Sequence, residues 1–160
     1  MIAFRRILVP HDFSKHADRS LRVAADLAGP RGTLVVQHTV VPFIPVTDLP
    51  PAGLATYLSP EELITGARRQ LEATVKRVLR GRGPKVTLRV EIGDAYQRIL
   101  AATRGMDLVV LATAGRTGLS HLIIGSVAEK VVRHSPIPVL TLRPEVSRRA
   151  APARRAGSRR

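Results

Sequence analysis

The sequence has no cysteine and no tryptophan, and aromatic residues make up only 3% of its 160 positions. The lack of cysteine excludes disulfides, thiol nucleophiles and thiolate metal ligands. The scarcity of aromatics predicts an aliphatic core and removes the stacking platforms that bind single-stranded nucleic acids. No apolar run approaches the roughly 20 residues that cross a bilayer, and the apolar segment near the N-terminus is too short for a signal peptide. We therefore expect one cytoplasmic globular domain.

Acidic residues are also scarce, because 12 Asp and Glu face 26 Lys and Arg, which gives a net charge of +14. Residues 145–160 hold six Arg and one Glu, and the remaining excess is spread over several predicted helix faces. We interpret the chain as a domain over residues 1–144 followed by a basic, disordered tail over residues 145–160. Dispersed charge argues against specific nucleic-acid binding. Association through the tail is the alternative, and it predicts a steep salt dependence that disappears when the tail is removed.

Strand and helix patterns alternate along the chain, which predicts an α/β fold with a parallel sheet. Strands are expected at Arg6–Pro10, Thr33–Val40, Lys85–Ile92, Asp107–Thr113 and Pro136–Leu142, with helices between them and a last helix from Ser126 to His134. Residues 85–92 alternate between apolar and polar, as in an edge strand, whereas residues 107–113 are almost wholly apolar, as in a central one. Ser14, Ser59 and Asp94 are the expected helix caps, and Glu62 completes a capping box with Ser59.

The segment Val41–Leu58 differs from the rest because it contains four prolines and a single charged residue, Asp48. A connection of this length is typical of a lid, a binding loop or a packing arm, and the sequence leaves these three open.

Several kinds of chemistry find no support in the sequence. The five histidines invite a metal site, but His11 and His16 have no acidic partners at ligand spacing, so we expect no metal. No Walker loop and no Gly-x-Ser-x-Gly motif is found, and Ser126 has no identifiable base. We therefore do not expect an enzyme, beyond slow incidental ATP hydrolysis if a nucleotide binds.

The most informative stretch runs from Leu108 to Val132, where a buried strand leads into a small-residue loop and Gly125-Ser126 then opens a helix. Such a helix start offers unpaired backbone N–H groups and the positive end of the helix dipole to an anion. In an open parallel sheet, ligands bind at the carboxyl ends of the strands where the strand order reverses. The loops Pro10–Ser14 and Ala112–Gly115 are therefore expected to meet around a nucleotide.

These residues resemble the universal stress protein family over residues 3 to 143. Its nucleotide-binding branch carries Gly-x2-Gly-x9-Gly-[Ser/Thr], which reads Ala112, Gly115, Gly125 and Ser126 here, with alanine in place of the first glycine. The opening Ile-Leu-Val-Pro-His-Asp-Phe-Ser, the segment Ser-Val-Ala-Glu-Lys-Val-Val and the ending Pro-Ile-Pro-Val-Leu are similar to the family as well. The resemblance implies an open five-stranded parallel sheet of order 3-2-1-4-5 with helices on both faces, a Rossmann-like fold of the adenine nucleotide alpha-hydrolase type.

The resemblance also implies a function, namely an ATP-binding, nucleotide-dependent regulator or stress-tolerance factor, with any Mg²⁺ carried by the nucleotide. Asp12 is implied at the ribose, Pro10 and Thr39 beside the adenine, Gly115, Arg116, Gly125, Ser126 and Val127 around the phosphates, and Ala112 at the first motif position. A homodimer through the last strand, Val139–Leu142, is implied too, and it would cover an exposed sheet edge. The alternative is a family member that does not bind nucleotide and acts as a dimeric protein-interaction module.

Several of these residues have alternative interpretations, among them Thr39 as a plain strand-end residue and Arg116 as a solvated surface arginine. Ala112 would be strained by about 1 kcal/mol if the position needs a positive φ, and harmless if it needs only a small side chain. Ser126 could form a capping box with Glu129. Asp12 could cap the first helix or form an Asx turn instead of binding a ligand.

Overall fold

The computed structural model of the protein describes residues 4–41, 59–81, 83–113 and 125–143. These residues form five parallel strands in the order β3-β2-β1-β4-β5, which confirms the predicted fold class and strand order. The strands are β1 (Arg6–Pro10), β2 (Thr33–Val40), β3 (Lys85–Ile92), β4 (Leu108–Ala112) and β5 (Val139–Leu142). The helices are α1 (Lys15–Ala28), α2 (Pro60–Leu79), α3 (Ala95–Ala102) and α4 (Ser126–His134).

Two aliphatic clusters, one on each face of the sheet, form the core. Side chains of a strand alternate between faces, so neighbouring residues of β1 enter different clusters. Ile7 and Val9 pack with Leu21 of α1 and Leu71 of α2, whereas Leu8 packs with residues of α3 and α4. The sheet is thus covered on both sides by helices, which leaves the carboxyl ends of the strands as the accessible rim.

The predicted places of the third and fourth strands are confirmed. β3 lies at the edge of the sheet, where Lys85 and Thr87 are exposed on one face and Val86 and Leu88 pack against the core on the other. β4 is buried along most of its length and lies between β1 and β5. β5 begins three residues later than predicted, after Pro138, because proline has no N–H to donate to the ladder.

Local capping confirms most of the predicted helix starts. Ser14 Oγ accepts a hydrogen bond from Ala17 N at 3.1 Å, and Asp94 Oδ1 accepts one from Gln97 N at 2.9 Å. At α2 both halves of the capping box are formed, since Glu62 N donates to Ser59 Oγ at 3.2 Å and Ser59 N donates to Glu62 Oε2 at 2.7 Å. These bonds satisfy N–H groups that have no acceptor inside the helix.

The capping box expected between Ser126 and Glu129 is wrong. Gly125 has the extended backbone of the N-cap, Ser126 is already the first helical residue, and α4 has no side-chain cap. Ser126 is therefore one position too far along to cap the helix, and Glu129 Oε1 instead accepts a hydrogen bond from Arg133 Nη2 at 3.0 Å.

Three predicted features lie largely or wholly outside the described residues. They are the Val41–Leu58 segment beyond Val41, the basic tail over residues 145–160, and the loop that carries Gly115 and Arg116. The domain boundary at residue 144 stays a prediction.

Candidate functional site

A cleft of about 400 Å³ opens at the carboxyl ends of β1, β2 and β4. Its wall includes seven of the nine predicted site residues: Pro10, Asp12, Thr39, Ala112, Gly125, Ser126 and Val127. Ile99 of α3, Leu111 of β4 and Val131 of α4 supply an apolar part of the lining. A mostly apolar cleft of this size with a few converging polar groups is typical of small-molecule sites. The other two predicted residues, Gly115 and Arg116, lie outside the described part of the chain.

Asp12 lies in a tight turn directly after β1. Its Oδ1 accepts a hydrogen bond from Ser14 N at 3.0 Å, which is an Asx turn, while Ser14 and not Asp12 caps α1. Phe13 between them has a φ of +66°, a conformation that bulky residues rarely adopt and that clusters at functional sites. Among the described residues no donor contacts Asp12 Oδ2. The turn therefore fixes the carboxylate with one oxygen and leaves the other for a ligand.

Two histidines hold this turn against β2. His11 N donates to Gln37 O at 2.7 Å, and His38 Nδ1 lies 2.7 Å from His11 O. Because a carbonyl oxygen only accepts, His38 carries a proton on Nδ1. His11 Nδ1 accepts from Phe13 N at 3.1 Å, so the neutral His11 ring carries its proton on Nε2. The Phe13 ring packs on His38 with 4.2 Å between ring centroids.

A buried network behind the turn joins it to two helices. His11 Nε2 lies 3.3 Å from Oδ1 of Asp18, a residue of α1 that is 7% exposed, at an angle too poor for a hydrogen bond. Arg77 of α2 donates to both Asp18 oxygens, at 2.9 and 3.1 Å. Burial lowers the pKa of His11 below its usual 6.5, although the charge of Asp18 opposes the shift. His11 is consequently neutral at pH 7.

The start of α4 forms the other side of the cleft. The N–H groups of its first turn have no acceptor inside the helix, and no described side chain caps them, so within the described part of the chain they are available to an anion. Gly125 N donates to Thr113 O at 2.7 Å, which ties the helix start to the end of β4. A Cβ on Gly125 would lie 3.3 Å from the same carbonyl oxygen. Close backbone approach thus favours glycine here, whereas its φ of −58° is open to any residue.

Ala112 is the departure from the family motif, and its backbone is unstrained. Phe13 and Arg80 are the non-glycine residues with a positive φ in the described part of the chain, and Ala112 is not among them. It ends β4 in regular register with Leu142 of β5. The strain considered for Ala112 is therefore absent in this chain, and the interpretation that the site needs only a small side chain there stays a prediction.

Three polar residues of this region escaped the sequence-based analysis: His11 as a turn anchor, Asp18 and Gln37. Asp18 lies on the same helix stripe as Leu21 and Ala25, and a charged residue on a buried stripe signals a partner elsewhere. Gln37 interrupts the apolar run of β2 and is 1% exposed, and its Oε1 has no hydrogen-bond partner among the described residues.

Two further observations concern the described residues alone. No group of three His, Cys, Asp or Glu side chains within residues 4–41, 59–81, 83–113 and 125–143 is arranged to hold a metal ion. No helix in the same ranges is both long enough and apolar enough to cross a membrane.

Several known proteins that this chain resembles in sequence are universal stress proteins. A universal stress protein of Methanocaldococcus jannaschii is 28% identical over 142 residues, covering 88% of this chain and 82% of the relative. A universal stress protein of Thermus aquaticus is 32% identical over 148 residues, covering 88% of this chain and 99% of the relative.

The solved structures of similar fold include universal stress protein UspA from Lactobacillus plantarum, with a TM-score of 0.68, 21% identity, and coverage of 89% of this chain and 100% of that one. A universal stress protein in complex with cAMP has a TM-score of 0.61 and 18% identity, with coverage of 89% and 98%. One from Arabidopsis thaliana with AMP bound has a TM-score of 0.55 and 18% identity, with coverage of 89% and 94%. The family model for the universal stress proteins matches residues 3–143, and the chain therefore belongs to the universal stress protein family.

Proposed function

We propose that this protein binds an adenine nucleotide, ATP in the first instance, in the cleft at the carboxyl ends of β1, β2 and β4. The observation that carries the proposal is the uncapped start of α4, which faces the same cleft as the spare carboxylate oxygen of Asp12. An uncapped helix start favours phosphate, and a carboxylate accepts hydrogen bonds from ribose hydroxyls. The cAMP and AMP complexes of other family members support nucleotide binding in general.

In this proposal the strand order distributes the parts of the nucleotide across the sheet. The phosphates lie at Gly125, Ser126 and Val127 beside β4, and the ribose lies at Asp12 after β1. The adenine lies between Pro10 and Thr39 near the end of β2. Gly115 and Arg116 are assigned to the phosphate site from the family motif alone. Any Mg²⁺ would be bound to the nucleotide.

We propose a regulatory binding protein rather than an enzyme. Of the cleft residues that the structure describes, His11, Asp12 and His38 are the titratable ones. His11 Nδ1 is occupied by Phe13 N and His38 Nδ1 by the carbonyl of His11. In the proposed arrangement these three residues lie by β1 and β2, at the ribose and base end of the cleft, and not at the phosphates beside α4. We therefore expect a nucleotide-dependent regulator or stress-tolerance factor of the cytoplasm, with at most slow ATP hydrolysis.

Calorimetry with ATP on the full chain tests the site, with Gly125→Val as the blocking variant and Gly66→Val as its matched control. The Cβ of valine at Gly125 would lie 3.3 Å from Thr113 O, a contact tight enough to displace the helix start at the phosphate end, whereas a Cβ at Gly66 meets nothing within 4 Å. We expect Gly66→Val to bind like the unmodified protein. Loss of one buried hydrogen bond to the phosphates predicts that Gly125→Val binds about tenfold more weakly or worse. Equal heats from all three proteins, or none from any, would reject the site.

The alternative without nucleotide binding rested on Ala112, whose backbone is unstrained. Thermal melting separates the two functions, because ATP at 100 times its dissociation constant stabilises the folded state by about 2.7 kcal/mol.

A further inference from the structure

Gln37 is a polar side chain in an otherwise apolar part of the sheet. It follows Val35 on the α3 and α4 face of β2, where the side chains of alternate residues point the same way. Gln37 is 1% exposed, and it lines the cleft together with Thr39, two residues further along the same face.

Glu91 on the neighbouring strand determines which way the Gln37 amide faces. Gln37 Nε2 lies 3.5 Å from Glu91 Oε2, while Arg89 Nε donates to Glu91 Oε1 at 2.7 Å and holds that carboxylate in place. A carboxylate only accepts hydrogen bonds, so the amide nitrogen must face Glu91 and the amide oxygen must face away from it. That oxygen, Oε1, is buried and accepts no hydrogen bond from any described residue. A buried acceptor without a donor destabilises the ligand-free protein, and a bound ligand that donates a hydrogen bond to it would remove this cost.

The position of Gln37 relates it to one part of the proposed ligand. Adjacent strands lie about 4.8 Å apart, so the ends of β4, β1 and β2 span about 10 Å in that order. The anion-binding start of α4 lies beside β4 and Asp12 follows β1, which leaves β2 for the base. Gln37 therefore lies at the base end of the cleft.

We propose that Gln37 Oε1 accepts a hydrogen bond from the exocyclic amino group of the bound base, and that the cleft thereby selects a 6-aminopurine over a 6-oxopurine. The inference rests on the proposed nucleotide binding and adds its base specificity. A 6-oxopurine would bring its carbonyl oxygen against the Gln37 carbonyl and leave two buried acceptors without a donor. Sites built to bond an N–H group reject analogues that lack it.

Calorimetry with ATP and inosine triphosphate, a 6-oxopurine nucleotide, tests the proposal on the full chain. We expect the unmodified protein to bind ATP about tenfold more tightly or better, which corresponds to one buried hydrogen bond. Gln37→Leu is expected to bring the ratio of the two affinities close to one, mainly because ATP binds more weakly. Thr87→Val is the matched control, because Thr87 lies on the same sheet face but is exposed and outside the cleft lining. It is expected to keep the ratio.

Two further measurements separate a binding role from a structural one. Gln37→Leu removes an unpaired buried acceptor, so the melting temperature without nucleotide is expected to hold or rise, whereas a structural role for Gln37 predicts a fall. Glu91→Gln replaces a carboxylate by an amide that both donates and accepts, so Gln37 is no longer oriented. Glu91→Gln is therefore expected to lower the ratio of ATP affinity to inosine triphosphate affinity, although Gln37 itself is unchanged.

The possible results are distinct. Equal affinity of the unmodified protein for both nucleotides overturns the inference and leaves nucleotide binding intact. A ratio that survives both Gln37→Leu and Glu91→Gln overturns it as well. Failure of the unmodified protein to bind either nucleotide overturns the proposed function, and the base specificity with it.

Discussion

At the scale of single residues, His11 links the binding turn to the stability of the fold. The residue is 3% exposed, and Nδ1 accepts a hydrogen bond from Phe13 N, which a proton on Nδ1 would abolish. Burial dominates and lowers the pKa of His11 below 6.5, while the charges of Asp18 and Asp12 oppose this shift and His38 adds to it. The folded protein therefore binds fewer protons at His11 than the unfolded chain does once the pH falls below this value.

This linkage predicts acid sensitivity with a defined sign. The free energy of unfolding is expected to be highest above pH 6.5 and to fall as the pH drops through 6.5, by at most about 1.4 kcal/mol per pH unit from this histidine. The decrease levels off only below the lowered pKa of the folded state. Urea unfolding between pH 7.5 and 5.5 measures the slope.

His11→Asn is the informative variant for this prediction. An asparagine oxygen can accept the Phe13 N–H as His11 Nδ1 does, yet asparagine does not titrate. The slope is expected to flatten in His11→Asn and to persist in His134→Asn, a control on the exposed end of α4. An unchanged slope in His11→Asn would show that other groups cause the acid sensitivity.

Sequence reasoning reached some of these residues and missed others for physical reasons. Asp12, Gly125 and Ser126 lie in short local motifs, so their neighbourhood could be predicted from spacing. Asp18 and Gln37 depend on partners 59 and 54 positions away, Arg77 and Glu91, which no local pattern reveals. The only local indication for Asp18 and Gln37 was that each is a polar residue on an otherwise apolar face of its helix or strand.

At the scale of elements, helix starts show how far local rules extend. The Ser59 capping box was predictable because Ser59 and Glu62 satisfy each other within one turn of α2. The start of α4 was not, because a glycine at the N-cap replaces the serine that the rule expects. The missing side-chain cap leaves the N–H groups for a ligand, so the failure of the rule coincides with the proposed phosphate site.

The two serines give a matched test of this difference. Ser59→Ala is expected to destabilise the protein by about 1 kcal/mol, because it removes a side-chain cap. The melting temperature should fall by about 2–4 °C for a domain of this size. Ser126→Ala is expected to change the stability without nucleotide by less than about 0.5 kcal/mol, since its side chain caps nothing.

Thermal melting of the nucleotide-free variants measures both values. A loss in Ser126→Ala as large as that in Ser59→Ala would restore the capping interpretation of Ser126. A small loss in Ser59→Ala would mean that Pro60 and the packing of Leu71 already fix the start of α2.

At the scale of the whole molecule, the strand order determines where a ligand can bind. The alternation of patterns predicted a parallel sheet, and the family resemblance implied the order 3-2-1-4-5. With that order, the switch-point rule placed the site at the ends of β1 and β4, and in the structure both strand ends line one cleft. The family resemblance pointed to Thr39 at the end of β2, but the sequence could not predict that Gln37 of the same strand also lines this cleft. That feature needs the register of Gln37 against Arg89 and of Thr39 against Glu91, which depends on how two distant strands align.

The strand order also leaves β5 at an edge, where we expect a second copy of the chain to pair. Val109 N donates to Pro138 O and Thr113 N to Leu142 O, so the even-numbered residues of this ladder direct their backbone groups at β4. In a parallel ladder the intervening residues Val139 and Thr141 then face the open edge.

Thr141→Pro uses this alternation to separate dimerisation from folding. Proline at an edge position removes an outward N–H and disturbs no bond to β4, so the monomer fold is expected to survive. Sedimentation is expected to give a dimer for the unmodified chain and a monomer for Thr141→Pro, with circular dichroism showing that the variant remains folded. A monomeric unmodified chain, or a variant that still forms an equally tight dimer, would mean that this edge is not the interface. Because Thr141 lies outside the cleft lining, ATP affinity should be the same in both proteins.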